Sequence, residues 1–342
     1  MAFTKKIKKN TVSFSKNSVN LFFHILTQCN LSCCHCYINK KQHGTKTLSF
    51  STMESWLQMF SSKEKNQNII FLGGEPTLHP DLAKAVKTAK TLGYNSVTVD
   101  TNGYLFNDFL AKTSPDTLDY LSFSLDGASR KTNDMIRGKG CYDKCIKGIK
   151  KAVKKGFCTS LIYTVSSLNI NELEKMGPLL SDLGIDRFFI QVLGIRGESA
   201  KDQETKEGGK ILQVQRSRWL DIIPETAGKI ASSGISVTYP KVYLTAGETF
   251  ECAGNVAENY FIFPNGRVYR CPLCEDFPMH SMVIKENSLV QTGNINESHL
   301  FGLNIPEGCV MNKLIQPENL IYKKNGTPEY KIACCMLKEE IS

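Results

Sequence analysis

Cys29-Asn30-Leu31-Ser32-Cys33-Cys34-His35-Cys36-Tyr37 sets three cysteines, Cys29, Cys33 and Cys36, in the spacing C-x3-C-x2-C. The stretch follows the apolar run Leu21-Phe22-Phe23-His24-Ile25-Leu26. A strand that delivers a compact cysteine loop at its C-terminal end is the setting of a metal site. Three thiolates leave one iron of a four-iron cluster open to a further ligand. Read alone, the spacing also suits a zinc knuckle or a ferredoxin-like fragment, so the flanking sequence decides. Cys34 is a spare thiol inside the loop.

From about residue 20 to about 240, short apolar runs alternate with longer amphipathic ones. The strands expected are Leu21–Leu26, Asn68–Leu72, Ser96–Asp100, Leu118–Leu125, Cys158–Val165 and Arg187–Val192. The helices expected between and after them are Ser49–Phe60, Pro80–Leu92, Phe106–Lys112, Tyr142–Lys155, Ile170–Leu183 and Gln213–Ser233. Ser49 or Ser51 caps the first, and Ser51 with Glu54 forms a capping box. Gly93, Gly156 and Gly184 stop three of the others. This rhythm predicts an α/β fold with a parallel sheet and right-handed crossovers. Active sites of such folds collect at the C-terminal ends of the strands. Each unusual motif falls there: the cysteine loop, then Gly73-Gly74-Glu75-Pro76, Thr101-Asn102-Gly103, Ser124-Leu125-Asp126-Gly127 and Gln191-Val192-Leu193-Gly194. Two glycines let backbone approach a ligand with no Cβ between, and Pro76 makes the turn rigid.

The cysteine loop together with Gly-Gly-Glu-Pro resembles the signature of the radical S-adenosylmethionine (SAM) superfamily, and the resemblance covers nearly the whole chain from residue 20. It implies a partial (β/α)6 TIM-like barrel over residues 20–240, after a basic extension over 1–19. It implies a 4Fe-4S cluster on Cys29, Cys33 and Cys36, with SAM chelating the open iron. Residues expected at SAM are His35 and Tyr37 near the adenine, Gly73, Gly74, Glu75 and Pro76 at the amino group, Thr101, Asn102, Ser124 and Gln191, and Arg137. Arginine suits a carboxylate because its planar fork matches it bidentately. The implied reaction is reductive cleavage of SAM to a 5′-deoxyadenosyl radical that abstracts hydrogen from a substrate. His24, His43 and His79 read as structural, and Cys141, Cys145 and Cys158 as small hydrophobes.

From Glu251 the pattern changes. Two apolar arms around Asn265-Gly266 describe a β-hairpin bracketed by Cys252 and Cys271. Thirteen residues separate Cys252 from Gly266 and four separate Gly266 from Cys271, which resembles the opening of SPASM and twitch domains. The resemblance implies a small α+β twitch-type unit over 241–342 holding one auxiliary 4Fe-4S cluster. Cys252 and Cys271 are its first ligands; Cys309 and Cys334 complete the preferred set, with Cys274 and Cys335 as alternates. A four-thiolate zinc site and a cluster with three protein ligands and an open iron stay open here.

The 342 residues include 13 cysteines and carry a formal net charge of +9. No apolar stretch is long enough to span a bilayer, and the run at Leu21–Leu26 lacks the cleavage site of a signal peptide. A reducing cytoplasm is therefore the expected compartment. Lysines, including Lys5-Lys6-Ile7-Lys8-Lys9, are spread without interleaved aromatics, which disfavours nucleic acid. A basic surface suits a reduced flavodoxin or ferredoxin as electron donor. Similar enzymes modify peptides and proteins, oxidise sugar alcohols, or act in cofactor and tetrapyrrole synthesis; a peptide or a small molecule is the substrate expected. A cluster protein that binds SAM or carries electrons without turnover is the alternative class, which Gly73 to Glu75 argue against.

Overall fold

The computed structural model describes residues 8–12, 14–61, 64–200, 212–245, 247–316 and 319–342. Lys5 to Ile7 of the basic extension and Glu207-Gly208-Gly209-Lys210 of the expected mobile loop lie outside them. The strands are β1 Lys9–Val12, β2 Ser18–His24, β3 Asn66–Leu72, β4 Ser96–Thr101, β5 Tyr120–Ser124, β6 Thr159–Val165, β7 Arg187–Val192 and β8 Ser236–Pro240, then β9 Tyr243–Leu244, β10 Glu258–Ile262, β11 Arg267–Tyr269, β12 Met282–Lys285, β13 Ser288–Gln291, β14 Lys331–Ile332 and β15 Lys338–Ile341. The main sheet runs β1-β15-β8-β7-β6-β5-β4-β3-β2-β10-β11-β12-β13.

Strands β2 to β8 are parallel and lie in chain order. The strand–helix rhythm produces this, since each crossover returns the chain beside its last strand. The six expected strands are present, and β8 adds a seventh. β8 escapes a sequence reading because it is short, begins at Ser236 and ends at Pro240.

Between the parallel strands lie α1 Lys40–His43, α2 Phe50–Phe60, α3 Leu82–Thr91, α4 Phe109–Lys112, α5 Arg130–Arg137, α6 Cys141–Lys154 and α7 Met176–Leu183. α2 is capped by Ser49, whose hydroxyl accepts from Thr52 N at 3.1 Å; the capping box expected from Ser51 is not formed. The expected helix Ile170–Leu183 divides into a 3-10 turn, Ile170–Lys175, and α7. Pro178 has no N–H to donate four residues back, so an unbroken α-helix would lose a bond there.

Successive strand residues point to opposite faces. Val97, Val99, Leu121, Phe123, Leu161 and Phe188 are buried in the core that packs on the helices. Their alternates include Thr98, Asp100, Ser122, Ser124, Thr164 and Gln191. That second face, the inside of the partial barrel, is mixed, with Ile70, Ile162 and Phe189 among these polar residues, as a ligand cavity with a few polar contacts needs.

The hairpin β10–β11 forms around Asn265-Gly266, with Gly266 at φ +85°. It does not stand apart: β10 pairs in parallel with β2 from Glu258↔Val19 to Ile262↔Phe23. Phe22 and Phe261 stack across this seam at 4.3 Å. Just beyond it, the Phe263 ring is sandwiched between His24 at 4.2 Å and His43 at 3.9 Å. The sheet is therefore continuous across the boundary expected near residue 240. No helix among the described residues is long and apolar enough to cross a membrane.

Candidate functional site

The cysteine loop leaves β2 and folds back on itself through a turn, Cys36 N to Cys33 O at 3.1 Å. Neighbouring loops hold each cysteine. The Cys29 sulfur accepts from Leu31 N at 3.4 Å and from Asn102 Nδ2 at 3.7 Å. Cys34 N donates to Ile136 O at 3.1 Å, and Cys33 Sγ faces Arg137 O at 4.0 Å. Glu198 N donates to Cys36 O at 2.8 Å. Burial pushes the Cys29 thiol up to about 11 and Cys33 to about 12, and raises Cys36 as well. Cys29 and Cys33 also feel Cys36, so the three form one electrostatic group. A metal centre would displace these protons, since thiolate is the binding form.

Gly73 and Gly74 are dictated by close approach. A Cβ on Gly73 would lie 2.6 Å from Leu26 O, and one on Gly74 would lie 2.3 Å from Gln28 O. Gly74 N and Glu75 N donate to Leu26 O and Gln28 O at 3.0 and 2.9 Å, tying this loop to the approach to Cys29. Pro76 opens a 3-10 turn that Glu75 caps. The Glu75 carboxylate is buried and committed. One oxygen accepts from Thr77 N, Thr77 Oγ1 and Thr101 Oγ1 at 3.0, 2.6 and 2.7 Å; the other accepts from Asn102 N at 2.7 Å. Glu75 thus organises the site residues Thr101 and Asn102 together with Thr77. Asn102 then reaches Asn30 Oδ1 at 2.9 Å.

The Ser124-Leu125-Asp126-Gly127 loop carries a buried charge contact, on a residue absent from the sequence-derived site. Asp126 is fully buried. Its Oδ2 meets Arg137 Nε at 2.6 Å and His35 Nε2 at 3.0 Å, and its Oδ1 accepts from Thr164 N at 2.7 Å. Burial alone would raise its pKa; Arg137, His35 and these bonds outweigh that and hold it at about 2. The Arg137 terminal nitrogens make no hydrogen bond among the described residues. Ser124 ends β5 just before this loop, its carbonyl facing Cys145 Sγ at 3.7 Å. Cys141 and Cys145 are buried on α6, as expected of small hydrophobes, whereas Cys158 is exposed, contrary to that expectation, because it lies in the connection before β6.

Tyr37 leads elsewhere. Its hydroxyl bonds His24 Nε2 at 2.8 Å, and its ring lies under the Arg196 guanidinium at 4.8 Å. Arg196 also donates to Glu275 Oε2 at 3.0 Å and to the Pro272 carbonyl. Glu275 follows Cys274, so Tyr37-Arg196-Glu275 joins the two cysteine groups. Sequence reasoning missed both charged residues, because Arg196 sits in a polar loop with no pattern of its own. It also missed Lys338. Lys338 opens β15 opposite Pro240, and its Nζ lies 3.4 Å from Gln191 Oε1. Burial lowers its pKa, partly offset by Cys335 and Cys334.

The C-terminal cysteines arrive from separate segments. Cys252 caps a short helix, Ala253–Val256. Cys271 ends the hairpin, with its N–H on the buried Glu297 at 2.9 Å, and Cys274 N closes on Cys271 O at 3.1 Å. Cys309 caps the helix Val310–Ile315 through its sulfur, at 3.5 Å from Asn312 N. Leu337 N donates to Cys334 O at 2.9 Å. Burial, then Cys334 and Cys271, raise Cys252 to about 12; Cys309 is raised by burial and then by Cys334, Cys271 and Cys252. A hydrogen bond between Cys334 and Cys335 lowers the former and raises the latter. All six thiols, alternates included, therefore converge on one region. Cys36, Tyr37, Cys271, Cys274, Cys309 and Cys335 share one apolar cluster with Phe263 and Met311.

Two thiol groups, half-buried at Cys29, Cys33 and Cys36 and half-buried to buried at the C-terminal cysteines, suit iron–sulfur ligation in their donor chemistry. Among the described residues, no three Cys, His, Asp or Glu side chains lie close enough to share a single metal ion. A cubane spreads its thiolates further apart than one zinc, which holds each sulfur at about 2.3 Å.

Residues 24–177 match the family model described as the radical SAM superfamily. The chain is 30% identical over 241 residues to a Fe-coproporphyrin III synthase of Methanosarcina barkeri, covering 68% of this chain and 57% of that protein. It is 31% identical over 163 residues to a probable GTP 3′,8-cyclase of Saccharolobus islandicus, covering 47% of this chain and 53% of that one. The chain thus spans little more than half the length of these curated relatives. Among solved structures, Streptococcus suis SuiB bound to precursor peptide SuiA aligns with a TM-score of 0.61 at 15% identity, over 92% of this chain and 70% of that one. Native anSMEcpe with bound AdoMet aligns with a TM-score of 0.61 at 14% identity, over 87% of this chain and 88% of that one.

Proposed function

The chain belongs to the radical SAM superfamily, and on that premise we propose that it is an enzyme that abstracts hydrogen from a peptide or protein substrate held inside the partial barrel. The group that Cys29, Cys33 and Cys36 would hold, a 4Fe-4S cluster with SAM bound, supplies reductive cleavage of the sulfonium to a 5′-deoxyadenosyl radical. The residues of the chain position and shield. Gly73 and Gly74 bring backbone to the cysteine loop, and Glu75 fixes Thr101 and Asn102 beside it. Asp126 orients Arg137 so that its terminal nitrogens remain for the carboxylate of SAM, close to Ser124. His35, held by the same aspartate, and Tyr37, held by His24, lock the loop on either side of Cys36, on the adenine side. Gln191 and Lys338 face the interior from β7 and β15, where substrate would lie between SAM and the C-terminal thiols. Those thiols would hold an auxiliary cluster, with Cys252, Cys271, Cys309 and Cys334 as the preferred ligands.

The observation that carries this reading is the single Glu75 carboxylate joining the Gly-Gly loop, Thr101 and Asn102 at the edge of the cysteine loop. Reconstituted protein given dithionite and SAM is expected to release 5′-deoxyadenosine. No release from protein with both clusters intact would sink the enzyme reading in favour of an electron carrier. A second substrate class has its own support: the Fe-coproporphyrin III synthase matches 68% of this chain. A short peptide encoded beside the gene should raise 5′-deoxyadenosine release above the substrate-free rate. A response to tetrapyrroles alone would select the small-molecule reading.

A further inference from the structure

We propose that the exposed face of α6, with the adjoining corner of α5, is the docking surface for the protein that delivers electrons, a small acidic one-electron carrier. This rests on the enzyme reading above. In each delivery the carrier gives up one electron and the site at Cys29, Cys33 and Cys36 gains it.

The surface follows from the sequence of the helix. Cys141, Cys145, Gly148, Ile149 and Ala152 are buried against the sheet. The opposite side exposes Lys144, Lys147, Lys150, Lys151 and Lys154, continued by Lys155. None of these six lysines makes an ion pair among the described residues, and the nearby Asp143 is taken by Arg130 at 2.8 Å. Lys144 to Lys154 extend over about 15 Å of helix at its usual rise. An unneutralised stripe of one sign raises the local concentration of an oppositely charged partner and speeds its encounter.

The stripe begins at the cysteine loop. The α5–α6 corner accepts from Cys34 N through Ile136 O at 3.1 Å, and its Arg137 O faces both Cys33 Sγ at 4.0 Å and Cys141 Sγ at 3.2 Å. Lys144 lies over the Tyr104 ring at 5.8 Å, on the loop whose Asn102 reaches Cys29. Beside Ile136, Met135 is 50% exposed, between the exposed Lys131 and Lys139. An exposed apolar side chain flanked by two lysines thus adjoins Ile136 and Arg137, whose carbonyls face Cys34 N and Cys33 Sγ. A carrier seated there would need no path through the rest of the protein. Nucleic acid fits less well: the exposed arginine at this corner, Arg130, is taken by Asp143 at 2.8 Å, Tyr142 is turned to Ala128 O at 3.1 Å, and the Tyr104 ring is covered by Lys144 at 5.8 Å.

The test uses the full chain and a strongly acidic flavodoxin as probe. The variant Lys144→Glu/Lys147→Glu/Lys151→Glu changes charge only on the exposed side. Its affinity for flavodoxin, measured by calorimetry before and after cluster reconstitution, is expected to fall at least tenfold and to lose most of its salt dependence. Flavodoxin-supported reduction of the cluster and release of 5′-deoxyadenosine should fall similarly, while dithionite-supported release stays unchanged. A control of equal charge change, Lys87→Glu/Lys285→Glu/Lys323→Glu, should leave both untouched. Equal losses in the two variants, or undiminished flavodoxin binding by the first, would overturn the proposal. So would tighter binding of a short RNA than of flavodoxin by the wild type, lost in the first variant. Failure of the wild type with dithionite would instead count against the enzyme reading, and the calorimetric arm would still decide the docking surface.

Discussion

Asp126 shows how one buried charge can set several positions. Its carboxylate is shared by Arg137 and His35, so the α5 end and the cysteine loop are held by the same two oxygens. Removing one partner of a buried pair strands the other. Asp126→Asn should therefore cost about 3 kcal/mol of stability in denaturant unfolding. The substitution should also alter the electron paramagnetic resonance signal of SAM-bound protein, because Arg137 loses its orientation; an unchanged signal would remove Asp126 from the site. The sign of its pH dependence follows from its depressed pKa: the stabilisation is complete above the ordinary carboxylate range and is lost as pH falls toward 2. Gly74 gives a sharper steric case. Gly74→Ala places a methyl against the Gln28 and Thr27 carbonyls, at 2.3 and 2.6 Å, and backbone cannot swing aside as a side chain can. Reduced iron retention at the first cysteine group is the expected result, measured by iron content after reconstitution.

At the scale of elements, the hairpin β10–β11 is welded to β2 by Phe22 on Phe261 and by Phe263 between two histidines. Burial lowers His24 to about 3 and His43 to about 4. A histidine whose folded pKa is depressed stabilises the protein fully above the unfolded value, and the contribution is lost as pH falls below it. Between about pH 6 and 4 each should contribute a slope approaching 1.4 kcal/mol per pH unit. The double variant His24→Asn/His43→Asn should be less stable at pH 7 yet lose less between pH 7 and 5; an identical slope would show that these rings do not titrate on unfolding. The six expected parallel strands were legible in sequence because they read as apolar runs and each motif then marked a strand end, whereas β8 and the short antiparallel strands at the sheet edges were not. The partners were not legible. Nothing in Phe263 says that His24 and His43 flank it, since those contacts depend on β10 pairing with β2, over 230 residues away in sequence. Asp126 was visible as part of a turn motif, but its link to His35 needed two loops brought together in space. Arg196 and Lys338 carried no local pattern, and only folding brings Arg196 to Tyr37 and Glu275 and Lys338 to Gln191.

For the whole molecule, the two thiol groups share a sheet and an apolar cluster, yet they are built from different segments. Residues 29–36 come from one loop after β2, whereas Cys252, Cys271, Cys309 and Cys334 come from four places in the last third of the chain. One link between the two regions is Tyr37-Arg196-Glu275, and Asn39 to Asp276 at 2.6 Å and His43 to the Glu275 carbonyl at 3.0 Å lie beside it. That link orients loops and supplies no thiolate. Each group should therefore load independently. Replacing Cys29, Cys33 and Cys36 by alanine should lower iron to about one cluster's worth, and replacing Cys252 and Cys271 should do the same from the other side. Arg196→Met should leave iron content unchanged while lowering stability by about 2 kcal/mol, since the buried Glu275 carboxyl, raised to about 8 by burial, would lose a hydrogen-bond donor. Loss of all iron in either cysteine variant would mean that one group forms only on the other, and the Tyr37-Arg196-Glu275 link would then be a folding dependency between the two.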